Sequence, residues 1–176
     1  MLQGRFCSFI AGVAQLVALE ISNLKVAGSS PVSRSMNTNW LYYGIFFPDN
    51  VKQELLKRAQ AQINKKFGAP IPPDYKIYCD HVTIVYNDGT PNKQEIAATI
   101  DEMIGQPVLV NINSIGLGEG VIAFGVSNVE TQNEQSHVTV ATAPGVKPVA
   151  SNGIKNWISI KEFSVNGVVD VRLKKK

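Results

Sequence analysis

One short motif occurs twice in this chain and constrains its fold more than any other feature. The tetrad His81–Ile84 reads His-Val-Thr-Ile, and the tetrad His137–Val140 reads His-Val-Thr-Val. Both lie in stretches rich in β-branched residues, which favour strands. Because side chains alternate between the two faces of a strand, each tetrad puts a histidine and a threonine on one face and two apolar residues on the other. The sequence therefore predicts two half-buried strands that each present an imidazole beside a hydroxyl.

Two segments have the apolar periodicity of amphipathic helices. The first runs from Asp49 or Asn50 to about Lys66, with apolar residues at steps of three and four and a glycine after it. The second, Lys93–Ile104, repeats isoleucine at every fourth position and is followed by Gly105. We therefore predict two helices, one on each side of the first histidine tetrad.

Most of the remaining chain has the composition of strands. Runs of β-branched and aromatic residues occupy Trp40–Phe47, Lys76–Asn87, Val108–Gly116, Val121–Ser127, Ser136–Thr142, Trp157–Val165 and Val168–Leu173. The last two runs flank Asn166-Gly167, the strongest hairpin signal in the chain. The order of strands and helices predicts an α+β fold with mostly antiparallel sheets and two helices.

The first 35 residues are unlike the rest of the chain. Ala14–Val17 (Ala-Gln-Leu-Val) and Gly28–Pro31 (Gly-Ser-Ser-Pro) match the translated consensus of the D arm and the T arm of a tRNA gene. We therefore interpret residues 1–35 as a non-native or disordered extension and assign residues 36–176, which begin with a methionine, to a single domain. A signal peptide with Phe6–Leu19 as its apolar region is the alternative, and that run is too short to span a membrane.

Charge and cysteine content limit the classes of function. The chain has 17 Lys+Arg and 14 Asp+Glu, a net charge of +3, and it ends in the three lysines Lys174–Lys176. Without that tail and residues 1–35, the remaining body is slightly negative, whereas a protein that binds long nucleic acids needs a basic surface. We therefore expect a small or terminal substrate. Cys79 is the one cysteine in this body, which fits a reducing cytoplasm.

The two tetrads carry the residues needed for acid–base chemistry. His81 and His137 are the only histidines in the chain. A lone strand histidine is usually a partly buried residue with one hydrogen bond, but that explanation does not account for two histidines in the same pattern. Imidazole titrates near neutral pH, so two histidines beside one phosphorus can act as general base and general acid. Thr83 and Thr139 can donate hydrogen bonds to the phosphate oxygens.

A metal site is not indicated by the sequence. Two histidines without clustered carboxylates supply too few ligands, and the chain contains no C-x-x-C pair for zinc. Asp80 precedes His81 directly, so on a strand its side chain would point to the opposite face. We therefore expect neither a metal nor a cofactor.

The paired tetrads resemble the signature of the two-histidine phosphoesterase superfamily, and the resemblance covers roughly Trp40–Leu173. This superfamily includes RNA 2′,3′-cyclic phosphodiesterases, the phosphodiesterase domain of tRNA ligases and phage enzymes that destroy cyclic nucleotide signals. The resemblance implies a pseudo-symmetric bilobal α+β body in which the tetrads face a central cleft. It also implies a metal-independent phosphodiesterase that hydrolyses cyclic phosphates, with His81 and His137 catalytic and Thr83 and Thr139 holding the phosphate.

The resemblance also sets expectations for partners. The expected partner is a nucleotide or an RNA terminus with a cyclic phosphate. The protein itself is expected to be a monomer without membrane association, located in the cytoplasm, or in the host cytoplasm if the gene is viral. Two alternatives remain open. One is a phage anti-defence enzyme that cleaves cyclic di- or trinucleotide signals, which the adjacent tRNA-gene sequence favours. The other is a non-catalytic nucleotide-binding module that uses the same cleft.

Four further residues are candidates for substrate binding. Tyr42 and Tyr43 are adjacent on the first predicted strand, so they face opposite sides, and either could stack against a base. Lys147, in the loop Gly145–Asn152, could reach a phosphate. Trp157 could stack in the same way as the tyrosines. For the three aromatic residues the alternative is core packing, and for the lysine it is a solvated turn.

Overall fold

The computed structural model describes residues 39–175 of the chain. These residues form seven strands, two α-helices and a short 3-10 helix. They are β1 (Trp40–Phe46), α1 (Asp49–Phe67), β2 (Lys76–Ile77), β3 (His81–Tyr86), α2 (Pro91–Asp101), β4 (Pro107–Gly118), β5 (Val121–Val126), β6 (His137–Thr142), the 3-10 helix (Pro148–Gly153) and β7 (Trp157–Leu173). The interpretation of residues 1–35 as an extension lies outside the described residues. None of the described helices is long and apolar enough to cross a membrane.

The strands pair antiparallel throughout the sheet. Their order is β2-β6-β3-β1-β7-β4-β5, and β5 pairs a second time, with β6. This additional pairing links the far end of the order back to β6, so that six of the strands form a closed ring with β2 attached to it. The predicted class, an α+β fold with antiparallel pairing and two α-helices, is confirmed.

One face of β1, β3 and β6 forms part of the core. It carries six side chains that are at most 3% exposed: Tyr43, Ile45, Val82, Ile84, Val138 and Val140. Helix α1 contributes four buried residues at helical spacing, namely Val51, Leu55, Ala59 and Ile63. Because side chains alternate along a strand, burial of this apolar face directs the histidines and threonines of both tetrads to the opposite face.

The helices begin and end within one turn of their predicted bounds. Helix α1 follows Pro48, whose carbonyl oxygen accepts hydrogen bonds from the first turn, and it ends at Gly68 in the left-handed conformation with φ 69°. Helix α2 starts at Pro91, a residue suited to the first helical position, and gives way to turns that lead to Gly105. The sequence signals for helix ends therefore describe the structure well.

The predicted hairpin at Asn166-Gly167 is wrong, because β7 is one continuous strand of 17 residues. Its first part pairs with β4 and its last part, from Val168 onward, pairs with β1. Gly167 does not have a positive φ. A Cβ atom there would collide with the side chain of Ile45 and lie 3.1 Å from the carbonyl oxygen of Phe46. The glycine therefore permits a close approach of β1 to β7 instead of a tight turn.

The predicted single strand over residues 76–87 is interrupted at Cys79. This residue has φ 54°, the one positive φ at a described residue other than glycine. Pairing with β6 changes register across the break, from Ile77 opposite Ala141 to Val82 opposite Val138. The break therefore sets the register in which the first tetrad meets the second.

Candidate active site

The two histidine tetrads lie side by side on neighbouring strands. Strands β3 and β6 pair antiparallel through Val82 and Val138, the central apolar residues of the tetrads. An antiparallel register about this pair places His81 beside Thr139 and His137 beside Thr83 on the opposite face. Each histidine therefore has the threonine of the other tetrad as its cross-strand neighbour.

This face lines a cleft of about 490 Å³. Its walls are formed by Tyr42, Tyr78, Asp80, His81, Thr83, Tyr86, Gln132, Asn133, His137, Thr139, Pro148, Val149 and Asn152. The volume is in the range of pockets that hold small molecules and nucleotides. All four predicted site residues of the tetrads thus meet in one cavity, although they come from distant parts of the sequence.

The backbone fixes the tautomer of His137. The Nδ1 atom of this residue is 2.8 Å from the carbonyl oxygen of Gln135. A carbonyl oxygen only accepts hydrogen bonds, so Nδ1 carries the proton and Nε2 is left with a free lone pair when the ring is neutral. The side chain is 8% exposed, and burial lowers its pKa below the ordinary value, while the bond to Gln135 opposes that shift. His137 is therefore a neutral imidazole at pH 7.

His81 has a different environment, a stack of aromatic rings. Its ring centroid is 4.8 Å from that of Tyr42 and 5.3 Å from that of Phe46, with both rings nearly parallel to it. Burial lowers the pKa of His81 to about 4. Its Nδ1 atom is buried without a hydrogen-bond partner, so no protein group stabilises a charged imidazolium through that nitrogen.

Four ionisable groups also act on the pKa of His81. Asp80 raises it, whereas Arg172, His137 and Lys52 lower it. Lys52 in turn forms an ion pair of 3.4 Å with Asp80 on the wall of the cleft. An anionic ligand in the cleft would therefore favour the protonated form of His81.

The two threonines differ in their hydrogen bonds. Ser151 Oγ, in a side chain 1% exposed, donates its single proton to the carbonyl oxygen of Pro148 at 2.8 Å. The Thr139 hydroxyl lies 2.8 Å from the same Ser151 oxygen, so in this arrangement Thr139 donates and Ser151 accepts. The Thr83 hydroxyl has no hydrogen-bond partner among the described residues, and its proton is available to a ligand. That both threonines donate to a phosphate stays a prediction, and for Thr139 it requires the hydroxyl to leave Ser151.

The four residues proposed for substrate binding have different positions. Tyr42 lines the cleft. Tyr43 points into the core, where it is 3% exposed and its hydroxyl donates a hydrogen bond of 2.8 Å to Asp101. Lys147 is exposed and lies outside the lining of the cleft.

Trp157 also lies outside the lining of the cleft, behind His137. Its indole nitrogen donates to the carbonyl oxygen of Ile154, and its ring packs against the cluster formed by Val121, Ala123 and Ile154. The centroid of that ring is 6.4 Å from the centroid of the His137 ring. Of the four candidates, only Tyr42 lines the cleft; core packing explains Tyr43 and Trp157.

Gln132 is a cleft residue that sequence reasoning missed. Its backbone N–H donates to the carbonyl oxygen of Ile84, and its side-chain oxygen accepts from the backbone N–H of Tyr86 at 3.0 Å. These bonds continue the edge of β3 beyond its pairing with β6. Because the Tyr86 N–H can only donate, the orientation of the amide is settled, and the amino group of Gln132, a residue of the cleft lining, remains as a donor without a partner among the described residues.

The loop that carries Gln132 is held by its own polar side chains. Ser136 Oγ donates to the carbonyl oxygen of Val129 and lies 3.2 Å from Thr131 Oγ1. Thr131 Oγ1 also accepts from the backbone N–H of Asn133. The polar composition of this stretch predicts a loop but not its position. Its role at the cleft follows from contacts that are seen only in the folded structure.

No protein-family model matches the chain, and no curated protein matches it. Within residues 39–175, no group of three His, Cys, Asp or Glu side chains is arranged to hold a metal ion. A function for the cleft must therefore be inferred from the chemistry of its own side chains.

Proposed function

We propose that the protein is a metal-independent phosphodiesterase that hydrolyses cyclic phosphates, either at RNA 2′,3′-cyclic phosphate ends or on cyclic nucleotides. The observation that carries this proposal is the convergence of two His-Thr pairs on one cleft from adjacent strands. Two imidazoles on either side of a phosphorus atom supply the base and the acid that an in-line displacement requires. Thr83 and the amino group of Gln132 supply donors for the charge on the phosphate oxygens.

The fixed tautomer of His137 favours it as the general base. Its Nε2 lone pair accepts a proton from water while the water oxygen forms a bond to phosphorus. The Gln135 carbonyl then stabilises the imidazolium through Nδ1. At the same time the bond between phosphorus and one ribose oxygen breaks, and His81 transfers its proton to that oxygen. For a 2′,3′-cyclic phosphate the product is a phosphate monoester with a free ribose hydroxyl.

His81 can act as the acid only when it is protonated. Burial holds the pKa of His81 at about 4. The negative charge of a bound phosphate diester offsets this effect, because an adjacent anion favours imidazolium. Substrate binding would therefore supply the electrostatic change that prepares His81 to donate its proton.

An activity assay with defined substrates tests the proposal. The protein is incubated with an RNA oligonucleotide that ends in a 2′,3′-cyclic phosphate, with 2′,3′-cyclic mononucleotides and with cyclic dinucleotides. We expect hydrolysis of a cyclic phosphate, and a loss of about 10² to 10⁴ in rate for His81→Ala and for His137→Ala. For variants of the cleft threonines the matched control is Thr99→Ala, since the Thr99 hydroxyl donates to the carbonyl oxygen of Glu95 within α2.

The same assay separates the alternatives. Cleavage of cyclic dinucleotides alone would assign the protein to the enzymes that degrade signalling nucleotides. Binding without cleavage that persists in both histidine variants would indicate a non-catalytic nucleotide-binding module. Activity that requires an added divalent metal and disappears with a chelator would contradict the proposed mechanism.

A further inference from the structure

Three exposed cations follow one another at the end of β7: Arg172, Lys174 and Lys175. In the described part of the chain, no acidic side chain forms an ion pair with any of them. Other lysines of the described part, among them Lys65, Lys66 and Lys161, are also exposed and without an ion pair. What distinguishes Arg172, Lys174 and Lys175, which we call the basic segment, is therefore their position.

This basic segment begins at the edge of the cleft. Arg172 lies directly opposite Tyr42 in the pairing of β7 with β1, and Tyr42 lines the cleft. The guanidinium carbon of Arg172 is 5.7 Å from the centroid of the Phe46 ring, which stacks on His81. Arg172 therefore shares the face that carries the candidate catalytic residues.

From Arg172 the cations lead away from His81. The strand continues past Tyr42, and the backbone N–H of Lys174 donates to the carbonyl oxygen of Asn39, which precedes β1. An extended chain rises about 3.3 Å per residue and its side chains alternate between faces, so Lys174 lies on the face of Arg172 about 7 Å further along, whereas Lys175 points to the opposite face. The charges of Arg172 and Lys174 thus extend beyond the space in which one terminal phosphate would be held.

We propose that Arg172 and Lys174 bind the backbone phosphates of the nucleotides that precede a terminal cyclic phosphate. On this basis the preferred substrate is the 3′ end of a single-stranded RNA, with its last ribose in the cleft. This inference rests on the proposed phosphodiesterase function and selects among its possible substrates. Lys and Arg side chains are the usual partners of backbone phosphates, and such contacts do not depend on the base sequence.

The line of charges favours a strand over a compact ligand. A mononucleotide would occupy the cleft alone and leave the cations without a partner. A cyclic dinucleotide folds its second phosphate back toward the first, so it would not follow the charges along β7. RNA is favoured over DNA because a 2′,3′-cyclic phosphate requires the 2′ oxygen of ribose.

Kinetics with matched substrates test this proposal. The values of kcat/KM are measured over a range of salt concentrations for a 2′,3′-cyclic mononucleotide and for a trinucleotide with the same terminal group. The variant Arg172→Ala/Lys174→Ala is compared with Lys65→Ala/Lys66→Ala, which removes two exposed positive charges elsewhere. The readout is the ratio of kcat/KM for the trinucleotide to kcat/KM for the mononucleotide. Any effect of Arg172 on His81 that both substrates share therefore cancels.

We expect kcat/KM of the wild-type protein to be higher for the trinucleotide than for the mononucleotide. In the β7 variant the ratio of the two values should be about tenfold smaller at low salt. Each phosphate contact to a single strand contributes about −0.7 to the slope of log affinity against log salt, so the slope for the trinucleotide should become shallower by about 1.4. The control variant should keep the wild-type ratio.

Other results would overturn the inference in distinguishable ways. If the wild-type protein hydrolyses the mononucleotide as well as the trinucleotide, or if the control variant loses the preference equally, the proposed strand contacts are wrong while the phosphodiesterase function stands. If the wild-type protein hydrolyses a cyclic dinucleotide but neither of these substrates, the inference is wrong while the phosphodiesterase function stands. If it hydrolyses none of the three, the proposed function fails and the inference fails with it.

Discussion

At the scale of single residues, the two histidines occupy equivalent positions in their tetrads but have different surroundings. His137 has one nitrogen bound to a backbone carbonyl, whereas His81 packs against the rings of Tyr42 and Phe46 and has a buried nitrogen without a partner. Their repeated sequence does not encode this difference. It arises from the residues that precede each strand and from the strands beside them.

Charge substitutions near His81 should move its pKa in opposite directions. Arg172→Gln removes a positive charge and is expected to raise the pKa, and Asp80→Asn removes a negative charge and is expected to lower it further from about 4. Since the chain has only two histidines, NMR titration of their ring protons measures both directly. His137 is the internal reference, because burial is the main cause of its lowered pKa. Shifts of His81 in the same direction in both variants would contradict this account.

Substitution of Thr83 should lower activity without loss of stability, whereas substitution of Ser151 should lower stability. Thr83→Ala removes a hydroxyl without a protein partner, so we expect a loss of about 10² in kcat/KM on a cyclic phosphate and a stability change within about 0.5 kcal/mol. Ser151→Ala removes the buried partner of Thr139 and Pro148, and it should lower the free energy of unfolding by about 1 to 3 kcal/mol. Urea unfolding and initial rates measure the two effects. A large stability loss in Thr83→Ala would show that its hydroxyl is structural.

At the scale of elements, local signals predicted the helices better than the strands. The helix ends depend on nearby residues such as Pro48 and Gly68, and the structure follows them. Asn166-Gly167 also favours a local structure, a hairpin. The two flanking segments pair instead with β4 and β1, so the chain continues as one strand. The break at Cys79 had no sequence signal, since the residue is neither glycine nor asparagine.

Substitution of Gly167 tests whether it serves a close approach. In Gly167→Ala the new methyl group meets Ile45 and the backbone of Phe46, so we expect a loss of about 1 to 3 kcal/mol in the free energy of unfolding. Gly153→Ala is the control, because a Cβ there meets no atom within 4 Å and φ is not positive. Thermal or urea unfolding of both variants gives the comparison. Equal stability of the two variants would mean that β1 and β7 are not as close as described.

At the scale of the whole molecule, the candidate site depends on contacts between distant segments. The sequence identified His81, Thr83, His137 and Thr139 because their pattern is repeated, and the sheet brings these four side chains to one cleft. It did not identify Gln132, whose role follows from bonds to the edge of β3. Periodicity reveals which residues share a face, but not which loop closes against that face.

The two buried imidazoles also make the stability of the whole molecule depend on pH. In the unfolded chain both histidines titrate near their ordinary pKa of about 6.5, whereas in the folded protein the pKa of His81 is about 4 and that of His137 is lowered. The unfolded state therefore binds more protons between these values. Stability is complete above about pH 6.5 and decreases as the pH falls toward 4, with His81 alone contributing a loss of about 3 kcal/mol.

Urea unfolding between about pH 4.5 and about pH 7.5 measures this dependence. In His81→Phe a neutral ring replaces the imidazole in the stack with Tyr42 and Phe46, so most of the decrease should disappear, whereas His137→Gln should retain it. The carboxylates titrate mainly below this window and affect all three proteins alike. A decrease of the same size in wild type and His81→Phe would mean that the imidazole of His81 is hydrated in the folded state. In that case a bound phosphate could not act on His81 by offsetting its burial, and the acid in the proposed reaction would have to be assigned again.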